Sequence, residues 1–475
     1  MTEKRQLMWF RTDLRITDNP ALYHASQAGS VIGVFLLFPG QWQEHNDGEN
    51  KLWFQMQNLQ ALKQSLKDLN IPLIVIQLNH FNEAPDTLLL LVRKLQCSAV
   101  WFNREYGVNE RHRDKCLRDL LLTKNIECHT SIDQTLFVPG SILNRQREYF
   151  KVFTPFKNYL YKQLSIDQLT PLPPPKKQRL LSIPNYPEVK YQNLYTPTAD
   201  LISPKLIASE QHAHQLLMAF IEDHSSDYKA TRDIPSVDGT SYLSSFLVAG
   251  TLSVRQCFYA ALMANNNELD TGNQGLTCWM GELIWREFYK HILYGFPRVS
   301  KHQAFKPITE QLPWSHDQKQ FNAWKNGETG YPLIDAAMKQ LVHTGWMHNR
   351  LRMATAMFLS KNLMLDWRLG EAFFMEHLID GDLSANNGGW QWSASTGTDA
   401  VPYFRMFNPV SQSQRFDPEG TFIRQWLPQL KELDNKSIHE PWTSKKAVEN
   451  YPTPLVDHAA SRARVMTSFK QLKNS

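Results

Sequence analysis

The first 130 residues alternate short apolar runs with amphipathic segments. The runs are QLMWF (6–10), VIGVFLLF (31–38), PLIVIQL (72–78) and AVWFN (99–103), and amphipathic stretches such as 50–69 and 110–124 lie between them. Buried strands that alternate with helices indicate βαβ units. The pattern therefore predicts an α/β domain with a doubly wound parallel sheet.

The pattern changes in the middle of the chain. Prolines concentrate in 165–205, including PLPPPKK at 171–177, and predict an extended linker because proline disrupts both helix and sheet. Helical patterns follow, at 209–223, 252–265, 276–293, 333–342, 346–360 and 366–377. We predict an α/β domain over 1–135, an interdomain linker over 136–205 and a mostly α-helical domain over 206–475.

The turn after the first predicted strand, FRTDLRITDNP, carries the signals of a helix start. Asp18 can cap a helix that has Pro20 in its first turn. The sequence GxGxxG occurs nowhere in the chain. The α/β domain therefore lacks the glycine-rich loop of a Rossmann dinucleotide site, and any nucleotide bound there must be held in another way.

Composition narrows the functional classes. Lys and Arg exceed Asp and Glu by 51 to 46, a net charge of +5, which permits a polyanionic partner without requiring one. The five cysteines form no CxxC pair, so we expect no metal site and a reducing, cytoplasmic environment. The apolar runs are shorter than the ~20 residues of a membrane span, and the charged N-terminus is unlike a signal peptide, so we expect no membrane association.

Four segments of the second half carry the candidate chemistry. They are GTSYLSSFLVAGTLS (239–253), CWMGELIWREFYKHIL (278–293), TGWMHNRLRM (344–353) and LIDGDLSANNGGWQWSASTGTDAVPYFRMFNP (378–409). In the first, hydroxyl residues before a helix can attract phosphate or simply cap the helix. In the second, Glu282, Trp285 and Arg286 share one helical face, either as the wall of a base-binding cavity or as a surface ion pair beside a core Trp.

In order and nearly unbroken, these segments resemble the DNA photolyases of the cyclobutane pyrimidine dimer type, in the folate-antenna class I branch of the photolyase/cryptochrome family. The resemblance extends to WFRTDLR (9–15) and KVFTPFK (151–157). It implies an antenna-binding α/β domain and a helical catalytic domain that binds FAD and DNA. The implied activity is that of a carbon–carbon lyase, in which photoexcited reduced FAD gives an electron to a flipped pyrimidine dimer.

The resemblance also implies which residues bind FAD. They are Tyr228, Arg232, Thr240, Ser241, Tyr242, Leu243, Ser244, Trp279, Glu282, Arg286, Asn349, Arg352, Asp380, Gly381, Asp382 and Asn386. Arg352 is expected to pair with Asp380, because a charge beside a buried flavin must be neutralised. Asn386 is expected to face the ring nitrogen that gains and loses its proton. Tyr242 departs from the Arg or Lys of many relatives.

Catalytic and DNA-binding roles follow in the same way. The resemblance assigns catalysis to Glu282, Asn386 and an electron-transfer chain of Trp314, Trp367 and Trp390. For any single Trp core packing is the more common role, but all three match the family. It assigns DNA binding to Glu282, Trp285, Asn349, Arg350, Met353, Trp392 and Arg405.

Two alternative functions stay open at this stage. A (6-4) photolyase is disfavoured by Asn349 and Met353: the resemblance implies that such enzymes have two adjacent histidines where this chain has His348 and Asn349. A cryptochrome-like photoreceptor is disfavoured because Asn386 stands where plant-type cryptochromes have Asp and animal-type ones Cys. Dimer repair is therefore the favoured interpretation.

The last expectation concerns the antenna chromophore. His45, Asn109, Glu110, Ser300 and Lys301 match positions that hold methenyltetrahydrofolate, and a glutamate such as Glu110 can accept two hydrogen bonds from a pterin. The motif VNER (108–111) could instead be an ordinary helix start. Ser300 departs from the Cys of close relatives, so a deazaflavin or flavin antenna stays open. The expected partner is DNA containing pyrimidine dimers, bound by a monomer without an obligate protein partner.

Overall fold

The computed structural model describes residues 4–198, 204–444 and 448–473. These residues form two compact units. The first unit contains 4–197, 204–226 and 241–297, and the second contains 198, 227–240, 298–444 and 448–473. Residues 199–203 of the predicted linker lie outside the described residues, and the domain boundaries at 135 and 205 stay predictions.

Five parallel strands form the sheet of the first unit, in the order β3-β2-β1-β4-β5. The strands are β1 (Arg5–Phe10), β2 (Ser30–Leu37), β3 (Leu73–Gln77), β4 (Cys97–Asn103) and β5 (Glu127–Ser131). The first four coincide with the predicted apolar runs, and the predicted fold class is confirmed. The edge strand β5 was not predicted, because its sequence ECHTS is largely polar and its side chains are only partly buried.

Helices, with the loops that connect them, make up the rest of the first unit and the described part of the second. In chain order they are α1 (Pro20–Ala28), α2 (Pro39–Glu44), α3 (Glu49–Asp68), α4 (Ala84–Leu95), α5 (Val108–Thr123), α6 (Phe153–Gln163), α7 (Ile166–Leu169), α8 (Glu210–Ala219), α9 (Tyr228–Thr231), α10 (Ser244–Ala249), α11 (Val254–Ala264), α12 (Gln274–Gly295), α13 (Gln318–Asn326), α14 (Pro332–Thr344), α15 (Asn349–Met357), α16 (Trp367–His377), α17 (Leu383–Ala394), α18 (Pro409–Phe416), α19 (Thr421–Trp426) and α20 (His458–Lys473). Phe220–His224 and Phe358–Asn362 continue α8 and α15 as π-helical turns. Among the described residues, no helix is both long enough and apolar enough to cross a bilayer.

The first helix begins differently from the prediction. Its N-cap is Asn19, whose side-chain oxygen accepts a hydrogen bond from the backbone N–H of Leu22 at 3.1 Å. Asp18 is fully buried, has a φ of 52°, and its carboxylate accepts hydrogen bonds from Arg255 and Ser253. The predicted cap at Asp18 is therefore wrong, because this carboxylate serves a long-range ion pair instead of the local turn.

The carboxyl ends of β1 and β4, where the strand order reverses, are filled by the protein's own side chains. The Arg11 guanidinium lies 4.7 Å from the ring centres of both Trp9 and Phe102. Arg113 donates to Glu105 at 2.7 Å. Burial alone would raise the pKa of Glu105, but Arg11 and Arg113 hold it at about 2. The crevice that binds dinucleotides in Rossmann folds is thus occupied by a buried charge network.

The core of the second unit is built around tryptophan. Trp390 in α17 is 2% exposed, and its ring centre lies 5.0 Å from that of Phe374 and 6.0 Å from that of Trp324, both edge-to-face. Helix α16 approaches this ring at Gly370, where an added Cβ would lie 2.0 Å from Cη2 of Trp390. Since Trp367 stands three residues before Gly370, both occupy the face of α16 that packs on α17.

We predict that Gly370→Ala destabilises the second unit, because the added methyl group overlaps the rigid Trp390 ring. The expected loss is about 1–3 kcal/mol, the usual cost of overpacking a dense core. Gly281→Ala is the matched control, since a Cβ at this position in α12 would meet no atom within 4 Å. It should stabilise the protein by about 0.5–1 kcal/mol, as expected for glycine inside a helix. Urea unfolding measures both effects, and equal stability of the two variants would contradict this packing description.

Candidate functional site: a cavity beside a buried ion pair

Arg352 and Asp380 form an ion pair in the second unit, between α15 and the turn that follows α16. Nη2 of Arg352 donates to both carboxylate oxygens of Asp380, at 3.0 and 2.9 Å. Nε of Arg352 donates to the carbonyl of Met347 at 2.8 Å. The Asp380 side chain is 4% exposed and that of Arg352 25% exposed. The charge of the carboxylate is therefore balanced by Arg352 at a position almost without access to water. The predicted pair is confirmed.

A cavity of about 140 Å³ lies beside this pair, within the second unit. Its polar lining consists of Asn349, Arg352, Asp380, Asp382 and Asn386, and its apolar lining includes Met353, Phe374, Leu378 and Trp390. Polar groups that face apolar walls fit a planar ring system with one hydrogen-bonding edge. The volume suits part of a large cofactor, such as the ring of a flavin, and the residues present therefore fit FAD.

The orientation of Asn386 follows from its hydrogen bond. Nδ2 of Asn386 donates to the backbone carbonyl of Glu371 at 2.9 Å. Because a carbonyl oxygen can only accept, the amide nitrogen must face Glu371, and the amide oxygen is left as the acceptor for a ligand. Next to it, Asp382 caps α17 by accepting from the N–H of Ala385 at 3.0 Å. Both polar groups are thus held in place by α16 and α17.

Three further residues predicted to bind FAD lie in the second unit. The Arg232 guanidinium is 5.3 Å from the ring centre of Tyr228, which is buried. The hydroxyl of Thr240 is buried and has no hydrogen-bond partner among the described residues. Arg350, predicted to bind DNA, forms an ion pair with Asp233 at 2.8 Å.

Another group of predicted FAD residues lies in the first unit. Ser241, Tyr242 and Leu243 precede α10, which begins at Ser244. The N-cap of α10 is Leu243 and no side chain caps the helix, so the alternative role of these hydroxyls as ordinary caps is wrong. Tyr242 has a φ of 54°, and Nζ of Lys205 lies 4.0 Å from its ring centre.

Helix α12 carries the remaining predicted residues of the first unit. Trp279 is buried and packs against Phe220, with ring centres 4.9 Å apart. Arg286 donates to the carbonyl of Gln134. Trp285 is half-buried and stacks on Phe153, with ring centres 3.7 Å apart and planes 7° apart. Glu282 lies three residues before Trp285, on the same face of the helix.

The three predicted electron carriers all belong to the second unit. Trp367 and Trp390 are buried in its core, and Trp314 is partly buried against Leu312 and Met364. The ring contacts that the structure shows for Trp390 are with Phe374 and Trp324, and sequence reasoning singled out neither. The electron-transfer chain stays a prediction.

His45, Asn109 and Glu110 come together in the first unit. Nδ2 of Asn109 donates to Nε2 of His45 at 2.9 Å, and Nδ1 of His45 lies 3.7 Å from a carboxylate oxygen of Glu110. Burial raises the pKa of Glu110, although His45 opposes this. Ser300 and Lys301 belong to the second unit, in a 3₁₀ turn over Val299–Lys301.

Sequence reasoning also missed two buried charged groups of the second unit. Glu371 in α16 is 1% exposed, and Lys361 is equally buried. Nζ of Lys361 donates to the carbonyl of Arg405 at 3.0 Å, and burial lowers the pKa of this lysine to about 7. In the sequence, each of these residues is a charged position within an otherwise apolar helical face. That pattern could have indicated a buried charge, but a search for motifs does not detect it.

Comparison with known proteins identifies the family. A model of the FAD binding domain of DNA photolyase matches residues 279–471, and a DNA photolyase model matches residues 6–176. The deoxyribodipyrimidine photo-lyase of Salmonella typhimurium is 43% identical over 478 residues, covering 98% of each chain. This chain belongs to the DNA photolyase family. The recognition made from the sequence motifs is confirmed.

Solved structures agree with this photolyase assignment. A class III photolyase of Agrobacterium tumefaciens is 31% identical, covers 100% of this chain and 99% of its own, and has a TM-score of 0.90. An archaeal photolyase of Sulfolobus tokodaii with two FAD molecules is 28% identical, covers 98% of this chain and 100% of its own, and has a TM-score of 0.80. The prediction of FAD is confirmed, whereas the identity of the antenna stays a prediction.

We predict that Asp380→Ala lowers the FAD content of this photolyase, because Arg352 is left without its counter-ion at the cavity edge. With Arg352 partly exposed, the expected loss is about 1–3 kcal/mol of FAD binding, or roughly 5- to 150-fold in affinity. Flavin absorbance per chain after dialysis measures it. Asp119→Ala is the control, since Asp119 pairs with Lys115 on the exposed surface of α5. Undiminished retention of FAD in Asp380→Ala would show that the cavity is not the flavin site.

Proposed function

We propose that this photolyase repairs cyclobutane pyrimidine dimers in DNA with light. The observation that carries the proposal is the cavity of the second unit, where Arg352, Asp380 and Asn386 surround the space that fits a flavin ring, within the matched FAD-binding domain. Bound reduced FAD supplies an excited electron to the dimer. The two cyclobutane bonds break, the electron returns, and no net oxidation occurs.

The chain's own residues position the cofactor. Arg352 and Asp380 orient the polar edge of the ring, and the oxygen of Asn386 accepts from its ring nitrogen. Met353, Phe374 and Trp390 exclude water from its faces. The other FAD contacts that we assign are Tyr228, Arg232, Thr240, Asn349, Gly381 and Asp382 in the second unit, and Ser241, Tyr242, Leu243, Ser244, Trp279, Glu282 and Arg286 in the first.

Trp285 provides an aromatic platform for a flipped pyrimidine. Phe153 occupies one face of its ring at 3.7 Å, which fixes the orientation of the indole and leaves only the opposite face for a base. Stacking of a base on an aromatic side chain contributes about 1–3 kcal/mol. Glu282, on the same face of α12, accepts hydrogen bonds from the base edge. On the second unit we assign DNA contacts to Asn349, Arg350, Met353, Trp392 and Arg405.

His348 supports dimer repair over repair of (6-4) lesions. It is 1% exposed, and burial lowers its pKa to about 4. Its Nδ1 accepts from the N–H of Arg350 at 3.2 Å, so the ring is neutral and serves as the N-cap of α15. A neutral, buried imidazole cannot act as the proton donor that (6-4) chemistry needs. The neutral amide of Asn386 likewise favours a repair enzyme over a photoreceptor.

We assign re-reduction of the flavin to Trp390, Trp367 and Trp314. Trp390 lines the cavity, and Trp367 lies on the face of α16 that packs against Trp390 through Gly370. Trp314 is the partly exposed member, next to the backbone pairing of Ser315 with Leu365. Burial of the first two and exposure of the third suit transfer of an electron inward from the surface.

We predict that Trp285→Ala weakens binding of dimer-containing DNA by roughly 5- to 150-fold. This factor corresponds to the loss of the about 1–3 kcal/mol that one stacked base contributes to binding. Binding of undamaged DNA should hardly change, because phosphate contacts do not read the lesion. Titration of both oligonucleotides at one salt concentration measures the difference. Trp442→Ala is the matched control, since Trp442 is 38% exposed and packs on Tyr331 in the second unit. Equal losses for both DNAs in Trp285→Ala would remove Trp285 from the lesion site.

For the antenna we propose methenyltetrahydrofolate, held by Glu110, Asn109 and His45, with Ser300 and Lys301 as the contacts assigned to the second unit. Two amide nitrogens, of Asn109 and Gln41, lie within 3.2 Å of Nε2 of His45. Nε2 is therefore the acceptor, and the ring hydrogen is on Nδ1, facing Glu110. In its ionised form the carboxylate of Glu110 can accept from the amino group and ring N–H of a pterin.

We predict that Glu110→Gln releases the antenna, because an amide cannot accept two hydrogen bonds from a pterin as a carboxylate does. Absorbance and mass spectrometry of the extracted chromophores measure retention. Glu127→Gln is the control, since the Glu127 side chain is 74% exposed on β5. A deazaflavin or a second flavin in the extract would overturn the folate assignment.

We also propose that the protein acts as a cytoplasmic monomer. The five cysteines are all free, as expected for a reducing compartment. We expect no obligate protein partner.

A further inference from the structure

A chain of hydrogen bonds connects the surface of the second unit to Asn386. One carboxylate oxygen of buried Glu371 accepts from Nδ1 of His302 at 3.0 Å, and the other accepts from Nδ2 of Asn387 at 2.8 Å. The His302 side chain is 45% exposed, whereas that of Glu371 is 2% exposed. A surface histidine, which is a cation when protonated, thus reaches a buried carboxylate.

The charge of His302 is what makes the burial of Glu371 tolerable. A carboxylate removed from water without a cation costs several kcal/mol, and an amide such as Asn387 supplies no charge. The other charged group against His302 is Arg368, whose Nε donates to the His302 carbonyl at 2.6 Å. Arg368 is itself paired with Asp366 and Glu310. The hydrogen bond to Glu371 raises the pKa of His302 despite partial burial and the nearby Arg368.

Glu371 is joined to α17 through both its side chain and its backbone. Its carboxylate holds Asn387, and its carbonyl accepts from Nδ2 of Asn386 at 2.9 Å. Gln391 extends the network by donating to Oδ1 of Asn387 at 2.8 Å and to the carbonyl of Gln303 at 3.2 Å. Displacement of the Glu371 carboxylate therefore shifts the carbonyl that orients the Asn386 amide.

We propose that His302 is a positioning residue: by pairing with Glu371 it keeps the Asn386 amide oxygen turned toward the flavin. This inference rests on the proposed function, in which Asn386 faces the flavin nitrogen that gains a hydrogen on reduction. An oxygen held there accepts a hydrogen bond from the reduced flavin only. His302 thus favours the reduced cofactor from a distance, without touching it.

The test is a redox titration of the full-length, FAD-loaded protein, followed by flavin absorbance at several pH values. In His302→Ala the ratio of reduced to oxidised flavin at a fixed potential should fall roughly two- to tenfold, as expected for one lost hydrogen bond. His302 supplies its charge only when protonated, so this difference from wild type is full at low pH. As pH rises through the pKa of His302, which lies above that of an ordinary histidine, the difference shrinks to the part that an uncharged hydrogen bond contributes.

Three further variants separate the possible outcomes. His302→Gln keeps a hydrogen bond but no charge, so its ratio should lie between wild type and His302→Ala, and its difference from His302→Ala should not vary with pH. His343→Gln, an exposed histidine in α14, should match wild type. Asn386→Ala should lower the ratio at every pH, because the acceptor itself is removed.

Other results would contradict the inference alone, or the proposed function together with it. If Asn386→Ala lowers the ratio and His302→Ala does not, His302 has no positioning role while the proposed function stands. A lower melting temperature of His302→Ala with an unchanged ratio would likewise show a purely structural role and overturn the inference. If Asn386→Ala matches wild type, or wild type binds no FAD, the proposed function fails and this inference fails with it.

Discussion

The ion pair between Arg352 and Asp380 is the interaction on which the functional part of the second unit depends. Asp380 lies almost out of water, where an unpaired carboxylate would be strongly destabilising, and its two oxygens are both satisfied by one guanidinium. The same guanidinium holds the carbonyl of Met347, so α15 and the turn before α17 are joined at one point. Arg352 and Asp380 are also part of the polar lining of the cavity, so the residues that join these elements are among those that we propose to bind the cofactor.

The aromatic core of the second unit likewise serves both the cavity and the packing of helices. Trp390 forms a wall of the cavity and also fills the contact between α16 and α17, where only glycine at position 370 leaves room for its ring. A core packed this densely brings Trp324, Phe374 and Trp390 into direct contact. Trp390 and Trp367, to which we assign electron transfer, are therefore also side chains that stabilise this unit.

The features that the sequence predicted correctly are those that depend on a run of neighbouring residues or on a recognised motif. Strands β1 to β4 are continuous apolar runs, and the pairing of Arg352 with Asp380 followed from a recognised motif. Strand β5 and helix α20 were missed because each buries few apolar side chains; α20 contributes chiefly Val465 and Phe469 to its packing. The ion pair of Asp18 with Arg255 and the network around Glu371 were missed because the partners are distant in sequence, and neither periodicity nor motif records such pairs.

The central claim is that light, acting through a flavin in the second unit, reverses pyrimidine dimers in DNA. The most direct measurement is the conversion of an oligonucleotide containing one thymine dimer by the purified protein with reduced FAD, under blue light and in darkness. The account predicts that intact thymines are restored in light only, over many turnovers, with the flavin still reduced at the end. Illuminated protein that holds reduced FAD and leaves the dimer unchanged would contradict it.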